Sequence, residues 1–337
     1  MGSRRSSPHS CPGGGTWVLG VDSGGSGLRV ALAAVAPGVA AEVVQSVAFG
    51  EPVRTGAGGI DAGQLLERLV PAAEGLLGRA GAGGLAAVAV GAAGMATLGD
   101  ELRARLPEAL RRSLGVDRLA LAADAVTAYA GALGQRPGAV VAAGTGMIAL
   151  GTDLSTWRRA DGWGHLLGDC GGGAWIGRAG LEAAMRAYDG RRGGSAALLA
   201  RVEAVFGPPA TLPGLLYPRA DRPAVLASFA PEVARCAADD PVSAGILARA
   251  AGHIAEAAAA VCPPGDDREV ALTGGLFAMG DPLLVPLRAE LAEQLPYARP
   301  VSAAGDPLSG AVAVAAALAT DTLRLPRQPG MLDTTPL

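Results

Sequence analysis

Trp17-Val18-Leu19-Gly20-Val21-Asp22-Ser23-Gly24-Gly25-Ser26-Gly27-Leu28-Arg29-Val30-Ala31-Leu32 sets two short apolar runs on either side of a turn built from small residues. Runs this short fit strands better than helices. The turn residues Gly24, Gly25, Ser26 and Gly27 leave almost no side chain at the tip, so a bulky anion can approach the backbone amides. Amide-lined turns of this kind bind phosphate. Asp22 ends the first run and is well placed to hold Mg²⁺ through water, since that ion keeps most of its waters and takes one or two carboxylates plus phosphates. A plain β-hairpin with a turn-forming Asp accounts for the stretch taken alone equally well. Arg29 reads as pointing out of its strand into solvent.

The pattern returns. Ala139-Val140-Val141-Ala142-Ala143-Gly144-Thr145-Gly146-Met147-Ile148-Ala149-Leu150 is again strand, small-residue turn and strand. Val270-Ala271-Leu272-Thr273-Gly274-Gly275-Leu276-Phe277 enters a Gly-Gly turn and is followed by a helix-like run. Widely spaced glycine turns suggest two similar domains facing one nucleotide. Their order resembles the sugar kinase, heat-shock ATPase and actin superfamily: a first phosphate loop, a second phosphate loop, then an adenosine loop. The resemblance implies an α/β chain with a two-domain ribonuclease H-like (actin-like ATPase) fold and an interdomain cleft for nucleotide and sugar.

At 337 residues, half of them apolar, the chain has room for two domains with sizeable cores. A net charge of −3 gives no reason to propose nucleic acid or a membrane surface as partner. Every basic side chain of the Lys/Arg class is arginine, and the sequence contains neither Lys nor Asn. A Walker A loop needs its Lys, and a protein kinase needs a strand Lys and a catalytic-loop Asn, so both are excluded. Cys11, Cys170, Cys236 and Cys262 form no Cys-x-x-Cys pair, which argues against a zinc or iron–sulfur site and fits a reducing cytoplasm. Residues 1–15 lack an apolar core and read as a disordered tail, neither signal peptide nor membrane anchor. The later Ala-rich runs are broken by charge or Pro, and none reads as a membrane span.

Taken in order, strands are expected at Val39–Phe49, Leu85–Gly91 and Arg118–Ala122, with helices at Ile60–Arg79 and Glu101–Leu114. Leu65, Leu66, Leu69, Leu76 and Leu77 share one side of the first helix. The first domain is then 16–124, in the order β-β-β-α-β-α-β, and the second is 125–325. Helices are expected from Thr127, then at Ala179–Tyr188, Ser195–Val205, Pro223–Asp239, Val242–Val261, Pro282–Gln294 and Leu308–Thr320. Residues 326–337 read as a frayed tail. Between the second hairpin and the long helical region lies Asp161-Gly162-Trp163-Gly164-His165-Leu166-Leu167-Gly168-Asp169-Cys170-Gly171-Gly172-Gly173, too polar, glycine-rich and aromatic for an ordinary linker.

Asp124 follows an apolar strand, where open α/β sheets place ligands. It reads either as the general base that takes the proton of an attacking hydroxyl or as an N-cap for the next helix. The glycine turns on both sides favour the base. Thr145 sits between glycines, with its hydroxyl in reach of a phosphate or a sugar hydroxyl. Asp169, flanked by Gly168 and Gly171-Gly172-Gly173, reads as the carboxylate of a flexible ligand loop or as a solvated turn residue. Trp163 is placed near a sugar and Trp175 in packing. His165 reads as a structural hydrogen-bonding residue, because a base is already supplied.

These residues resemble the BadF/BadG/BcrA/BcrD-type ATPase family, and within it the N-acetylglucosamine kinases, from about Trp17 to Thr320. The most specific part is Gly162-Trp163-Gly164-His165-Leu166-Leu167-Gly168-Asp169-Cys170-Gly171, where those kinases carry Gly-Trp-Gly-His-x-x-Gly-Asp-Glu-Gly. The resemblance implies ATP and Mg²⁺ as cofactors and phosphorylation of an amino sugar, N-acetylglucosamine at O6. It makes Asp124 the base, Asp22 the phosphate and Mg²⁺ residue, and Gly144-Thr145-Gly146 the second phosphate loop. Thr145, Gly162, Trp163 and Asp169 contact the sugar in that reading, Gly274 and Gly275 flank adenine, and the enzyme is a cytoplasmic homodimer. Four positions depart from the pattern: Cys170 for Glu, Met147 for Ser, Gly27 for Lys or Arg, and Val53-Arg54 where an Asn is usual. Alternatives are a kinase for glucosamine, N-acetylmuramic acid or a plain hexose, and an ATP- and sugar-binding sensor without turnover. An activator of a redox enzyme would need cluster-binding cysteines. A repressor would need a helix-turn-helix domain, for which 1–15 is too short.

Overall fold

Near-continuous burial along the opening stretch makes it the middle of a sheet, because a strand covered on both faces must be apolar on both. The computed structural model describes residues 16–24, 27–36, 38–56 and 59–336; the expected tail 1–15 lies outside them. β1 (Thr16–Gly24) and β2 (Gly27–Val35) pair antiparallel, from Thr16 opposite Val35 to Gly24 opposite Gly27. β3 (Glu42–Phe49) forms the edge beside β2, shorter than the expected strand, and β4 (Thr55–Gly56) and β5 (Gly59–Ile60) make a small ladder of their own. The carboxylate of Asp61 accepts the Gln64 amide at 3.0 Å and starts α1 (Ala62–Ala80). Leu65, Leu69 and Leu76 are buried on it, whereas Leu66 and Leu77 are half-buried at the border of that face. β6 (Ala87–Ala92), α2 (Met95–Leu98) and α3 (Asp100–Leu114) follow; α3 buries Leu102, Leu106, Leu110 and Leu114 at four-residue spacing and packs on α1. β7 (Arg118–Ala123) completes the expected order β-β-β-α-β-α-β, and α4 (Asp124–Leu133) leaves directly from its end, beginning at Asp124 rather than Thr127.

The second sheet repeats the plan. β8 (Gly138–Ala143), β9 (Met147–Thr152) and β10 (Trp157–Asp161) form an antiparallel meander. Next come α5 (Gly173–Tyr188), α6 (Ala196–Phe206), α7 (Leu212–Leu216), α8 (Arg222–Ser228), α9 (Ala230–Cys236) and α10 (Pro241–Val261). β11 (Arg268–Thr273), α11 (Asp281–Gln294) and β12 (Ala298–Ser302) finish it in the order β10-β9-β8-β11-β12, with β8, β11 and β12 parallel. The expected single helix Pro223–Asp239 is two helices meeting at the fully buried Phe229. Pro231, one residue into α9, lacks the amide that a continuous helix needs. The core gathers Val141, Ile176, Phe229, Ile246, Ile254 and Leu287. β10 and β12 escape the sequence reading because they are edge strands carrying Arg158-Arg159 and Arg299-Pro300, without an apolar run.

Two last elements return to the first sheet. α12 (Pro307–Ala319) approaches β1 so closely that a Cβ on Gly20 would lie 2.6 Å from the Val312 backbone nitrogen. β13 (Leu332–Pro336) pairs antiparallel with β7, so that sheet runs β13-β7-β6-β1-β2-β3. The expected frayed tail is therefore in part a strand. Its two apolar anchors, Met331 and Leu332, are too few to announce it, and Arg103 donates to Asp333 at 2.8 Å to hold it. By backbone contacts one unit comprises the chain through Thr127, Leu308–Leu323 and the stretch from Pro329; the other comprises Ala128–Pro307 and Arg324–Gln328. Among the described residues no helix is long and apolar enough to cross a membrane.

Leu332 is 1% exposed, so Leu332→Ala should destabilise the first unit by about 2–5 kcal/mol. Urea unfolding measures this, and a wild-type midpoint would show that the strand contributes no core.

Candidate functional site

In the first unit the register β1–β6–β7 sets Asp22 beside Gly91 and Gly91 beside Ala122. These three strands are parallel. Asp22 and Asp124 therefore stand at the same carboxyl-end edge, two strand spacings (about 10 Å) apart across the sheet and two residues apart along it. Asp22 also faces Arg29 across the hairpin, and the guanidinium Nε and Nη2 donate to its Oδ2 at 3.0 and 2.6 Å. Arg29 is thus not the solvated residue expected: directly opposite cross-strand positions bring the two charges together. Asp124 is half-buried in the first turn of α4, where the Ala125 amide donates to Oδ1 at 2.9 Å and Thr127 Oγ1 donates to the Asp124 carbonyl at 3.0 Å. The carboxylate satisfies a helix-terminal amide at a strand end where ligands bind, so its helix-starting role is compatible with the base. Gly24 faces open space. Gly25 and Ser26 lie outside the described residues. Gly27 has φ 133°, and a Cβ there would run into the Phe49 carbonyl oxygen, which accounts for the missing Lys or Arg side chain.

The second unit gathers three glycine-bearing segments at one end of its sheet. The turn Gly144-Thr145-Gly146 joins β8 to β9 and closes with the Gly144 amide donating to the Gly146 carbonyl at 2.9 Å. Thr145 is exposed at its tip. The amides of Gly173 and Ala174 donate to the carbonyls of Gly144 and Thr145, both at 2.8 Å, and fasten the turn to the start of α5. Gly171, Gly172 and Gly173, expected as part of a flexible loop, are buried and lead into that helix, six residues before its expected start. Gly274 follows β11, the parallel neighbour of β8, and Gly275 opens a short 3₁₀ turn; both are exposed.

The segment from Gly162 to Asp169 packs against the same turn. Asp169 lies so close to Gly146 that a Cβ on the glycine would collide with Asp169 Oδ2. Its Oδ1 accepts the Gly164 amide at 3.1 Å. Gly162 rests on Ile148. Trp163 is 60% exposed, and the Arg159 guanidinium lies 4.2 Å from its ring centre, held by bonds to the carbonyls of Asp161 and Gly162. Trp175 packs against the core and meets His253 edge-on at 5.1 Å, as a packing residue would.

Sequence reasoning missed the residue that organises this loop. Asp161 Oδ1 accepts the Asp169 amide at 2.5 Å, and Oδ2 accepts the Cys170 amide at 2.9 Å. Asp161 and Asp169 both adopt left-handed backbone, at φ 60° and 54°. The faint signal was an Asp directly before Gly-Trp-Gly, since Asp tolerates that conformation better than most residues. Burial pushes the Asp169 carboxyl above its ordinary value; the Gly164 amide opposes the shift and the Asp161 charge adds to it. Burial, then Asp161 and Asp169, push the Cys170 thiol up, which keeps it protonated and a poor nucleophile. Met147 and Val53 are core residues, 3% and 4% exposed, so two of the four departures lie where the side chain packs inward. Arg54 is exposed, its amide donating to Gln64 Oε1 at 2.6 Å. Among the described residues no cluster of three or more His, Cys, Asp or Glu is arranged to hold a metal ion.

Asp161→Ala should free the amides of Asp169 and Cys170 and speed their hydrogen exchange by about 10–100-fold, the effect of losing about 1–3 kcal/mol. Unchanged protection would remove Asp161 from that role. The raised Asp169 carboxyl makes the folded chain hold more protons than the unfolded chain between the ordinary carboxylate value and the raised one. Its contribution is therefore present below that window and lost as pH rises through it. Asp169→Asn should abolish this component, read as a difference in urea midpoints against wild type across that pH range; parallel curves would refute it.

A family model described as the BadF/BadG/BcrA/BcrD ATPase family matches residues 19–315. An N-acetylmuramic acid/N-acetylglucosamine kinase from Clostridium acetobutylicum is 30% identical over 177 residues, 52% of this chain and 55% of that protein, so the match spans about half the length of the relative. The crystal structure of a candidate N-acetylglucosamine kinase from Chromobacterium violaceum superposes with TM-score 0.68 at 28% identity, covering 88% of this chain and 98% of the other. A glucokinase of the ROK family from Streptomyces griseus, solved with glucose and AMPPNP, shares the fold at TM-score 0.51 and 20% identity, over 90% of this chain and 99% of the other. The chain belongs to the BadF/BadG/BcrA/BcrD ATPase family, and its two sheets have the actin-like ATPase fold of the sugar kinases.

Proposed function

We propose that this protein is an ATP-dependent sugar kinase that phosphorylates an amino sugar, N-acetylglucosamine at O6, to give the 6-phosphate. The observation that carries the reading is the Asp124 carboxylate, half-buried at the carboxyl-end edge of the parallel strands, on the same edge as Asp22 and the first glycine turn. Membership of an ATPase family and similarity to an N-acetylmuramic acid/N-acetylglucosamine kinase support it. Asp124 accepts the proton of the sugar hydroxyl as that oxygen bonds to the γ-phosphorus, while the bond to the bridging oxygen breaks and ADP leaves. Backbone amides of the glycine turns around Gly24, Gly27, Gly144 and Gly146 receive the phosphates, with Gly25 and Ser26 assigned to the first turn from sequence alone. Gly274 and Gly275 flank adenine. Thr145, Gly162, Trp163 and Asp169 bind and orient the sugar, and the Asp161 bonds keep the Asp169 carboxylate in place.

The donor set fits magnesium held mainly by nucleotide phosphates and water. One carboxylate, Asp22, is at hand, and it is already compensated by Arg29. Bound there, the ion would neutralise charge on the transferred phosphoryl group. A second reading, N-acetylmuramic acid as the acceptor, rests on similarity to the N-acetylmuramic acid/N-acetylglucosamine kinase of Clostridium acetobutylicum.

A coupled ADP-release assay across N-acetylglucosamine, N-acetylmuramic acid, glucosamine and glucose tests the proposal. N-acetylglucosamine should give the highest kcat/KM. A better acid-bearing sugar or hexose would replace the acceptor but keep the kinase, and ADP release unaffected by every sugar would leave a sensor. Asp124→Asn should lower kcat at least about a hundredfold with ATP binding intact. Wild-type turnover in that variant would remove the base.

A further inference from the structure

A cavity of about 390 Å³ opens on the second unit. Its walls are Leu181 and Met185 of α5, Leu212 and Leu216 of α7, and Leu226 of α8. That volume and that apolar lining are those of small-molecule sites, which add a few polar groups for orientation. Arg178 and Arg222 supply such groups, as does the Glu182 carboxylate. Glu182 already accepts two bonds from Arg186, both at 3.1 Å, so the charge left to meet a ligand is positive. Leu166, 83% exposed, and Tyr217, 75% exposed, extend the apolar surface at the opening.

We propose that this cavity binds a small monocarboxylate with an apolar body, of the size of a medium-chain acid. The hydrocarbon covers the leucine and methionine walls, and the carboxylate meets the guanidinium of Arg178, because Arg222 already donates its Nε to the Arg219 carbonyl at 2.7 Å. Guanidinium–carboxylate bonds are charge-assisted, so a neutral molecule of the same shape loses most of the orienting interaction. Leu166 and His165 line the cavity and belong to the loop that carries Trp163 and Asp169, so the occupant contacts that loop directly. The site stands on its own contacts and does not depend on the kinase reading.

Titration calorimetry of the full chain with octanoate and with octanamide, without sugar or nucleotide, tests it. Octanoate should bind saturably at one per chain, and octanamide about tenfold or more weakly, the loss of roughly one charge-assisted bond. Arg178→Gln should weaken octanoate by a comparable factor and leave octanamide unchanged. Leu216→Trp, which fills the cavity, should abolish both. If that variant melts early, the Arg178→Gln comparison still decides. Equal affinity for acid and amide, or no saturation with octanoate, overturns the proposal. So does a concentration-dependent dimer in sedimentation that Leu216→Trp dissociates, because the cavity would then be covered by a second copy of the chain.

Discussion

Parallel pairing of buried strands is the constraint on which each unit is built. β1, β6 and β7 in one sheet, and β8, β11 and β12 in the other, are hydrogen-bonded in parallel and linked by helical crossovers. Parallel neighbours cannot be joined by a tight turn, so helices must carry the chain back and cover the sheet. The carboxyl ends of those strands then collect at one edge, where successive turns leave amides and side chains beside one another. Asp22 and Asp124 share such an edge, and so do the turns at Gly144 and Gly274. Each unit adds an antiparallel hairpin next to its parallel strands, and the hairpin tip carries the glycine turn.

At these edges, glycine packing and carboxylates do different work. Gly146 permits Asp169 to lie against the turn, because a Cβ would occupy the place of the carboxylate oxygen. Asp161 then holds two consecutive amides of the loop, at Asp169 and Cys170. Two amides on one carboxylate is a charge-assisted arrangement that keeps a left-handed stretch of backbone in one conformation. Burying Asp169 near Asp161 has an electrostatic cost, visible as the raised carboxyl of Asp169. A group that donates hydrogen bonds to Asp169 would relieve that cost.

In the first unit the pairing of Asp22 with Arg29 sets the charge beside the first glycine turn. The guanidinium sits directly across the hairpin from Asp22, close to the first glycine turn, although the turn itself lacks a basic side chain. Gly27 cannot bear one, since its Cβ position is filled by the Phe49 carbonyl. Positive charge beside this turn therefore comes from the second strand, anchored by a carboxylate, and is less mobile than a Lys or Arg on the turn would be.

The sequence by itself determined the parts governed by local pattern. Short apolar runs interrupted by glycine turns specified both hairpins, apolar residues at helical spacing specified α1, and an apolar run ending in Asp specified Asp124 at a strand end. The Gly162–Asp169 segment was legible as something other than an ordinary linker, because linkers seldom combine aromatics, glycines and acids, and the structure shows it as an ordered loop. Tertiary structure alone decided the rest. β13 carries one buried apolar residue, Leu332, and is a strand because β7 offers it an open edge. Arg29 is an ion-pair partner through cross-strand register, Met147 and Val53 turn inward, and Asp161 becomes the loop's anchor because its carboxylate meets amides eight and nine positions later. These are contacts between residues distant along the chain or opposite one another across strands, and periodicity, which sees only the spacing of like residues within one element, does not encode which groups the folded backbone will bring within hydrogen-bond reach.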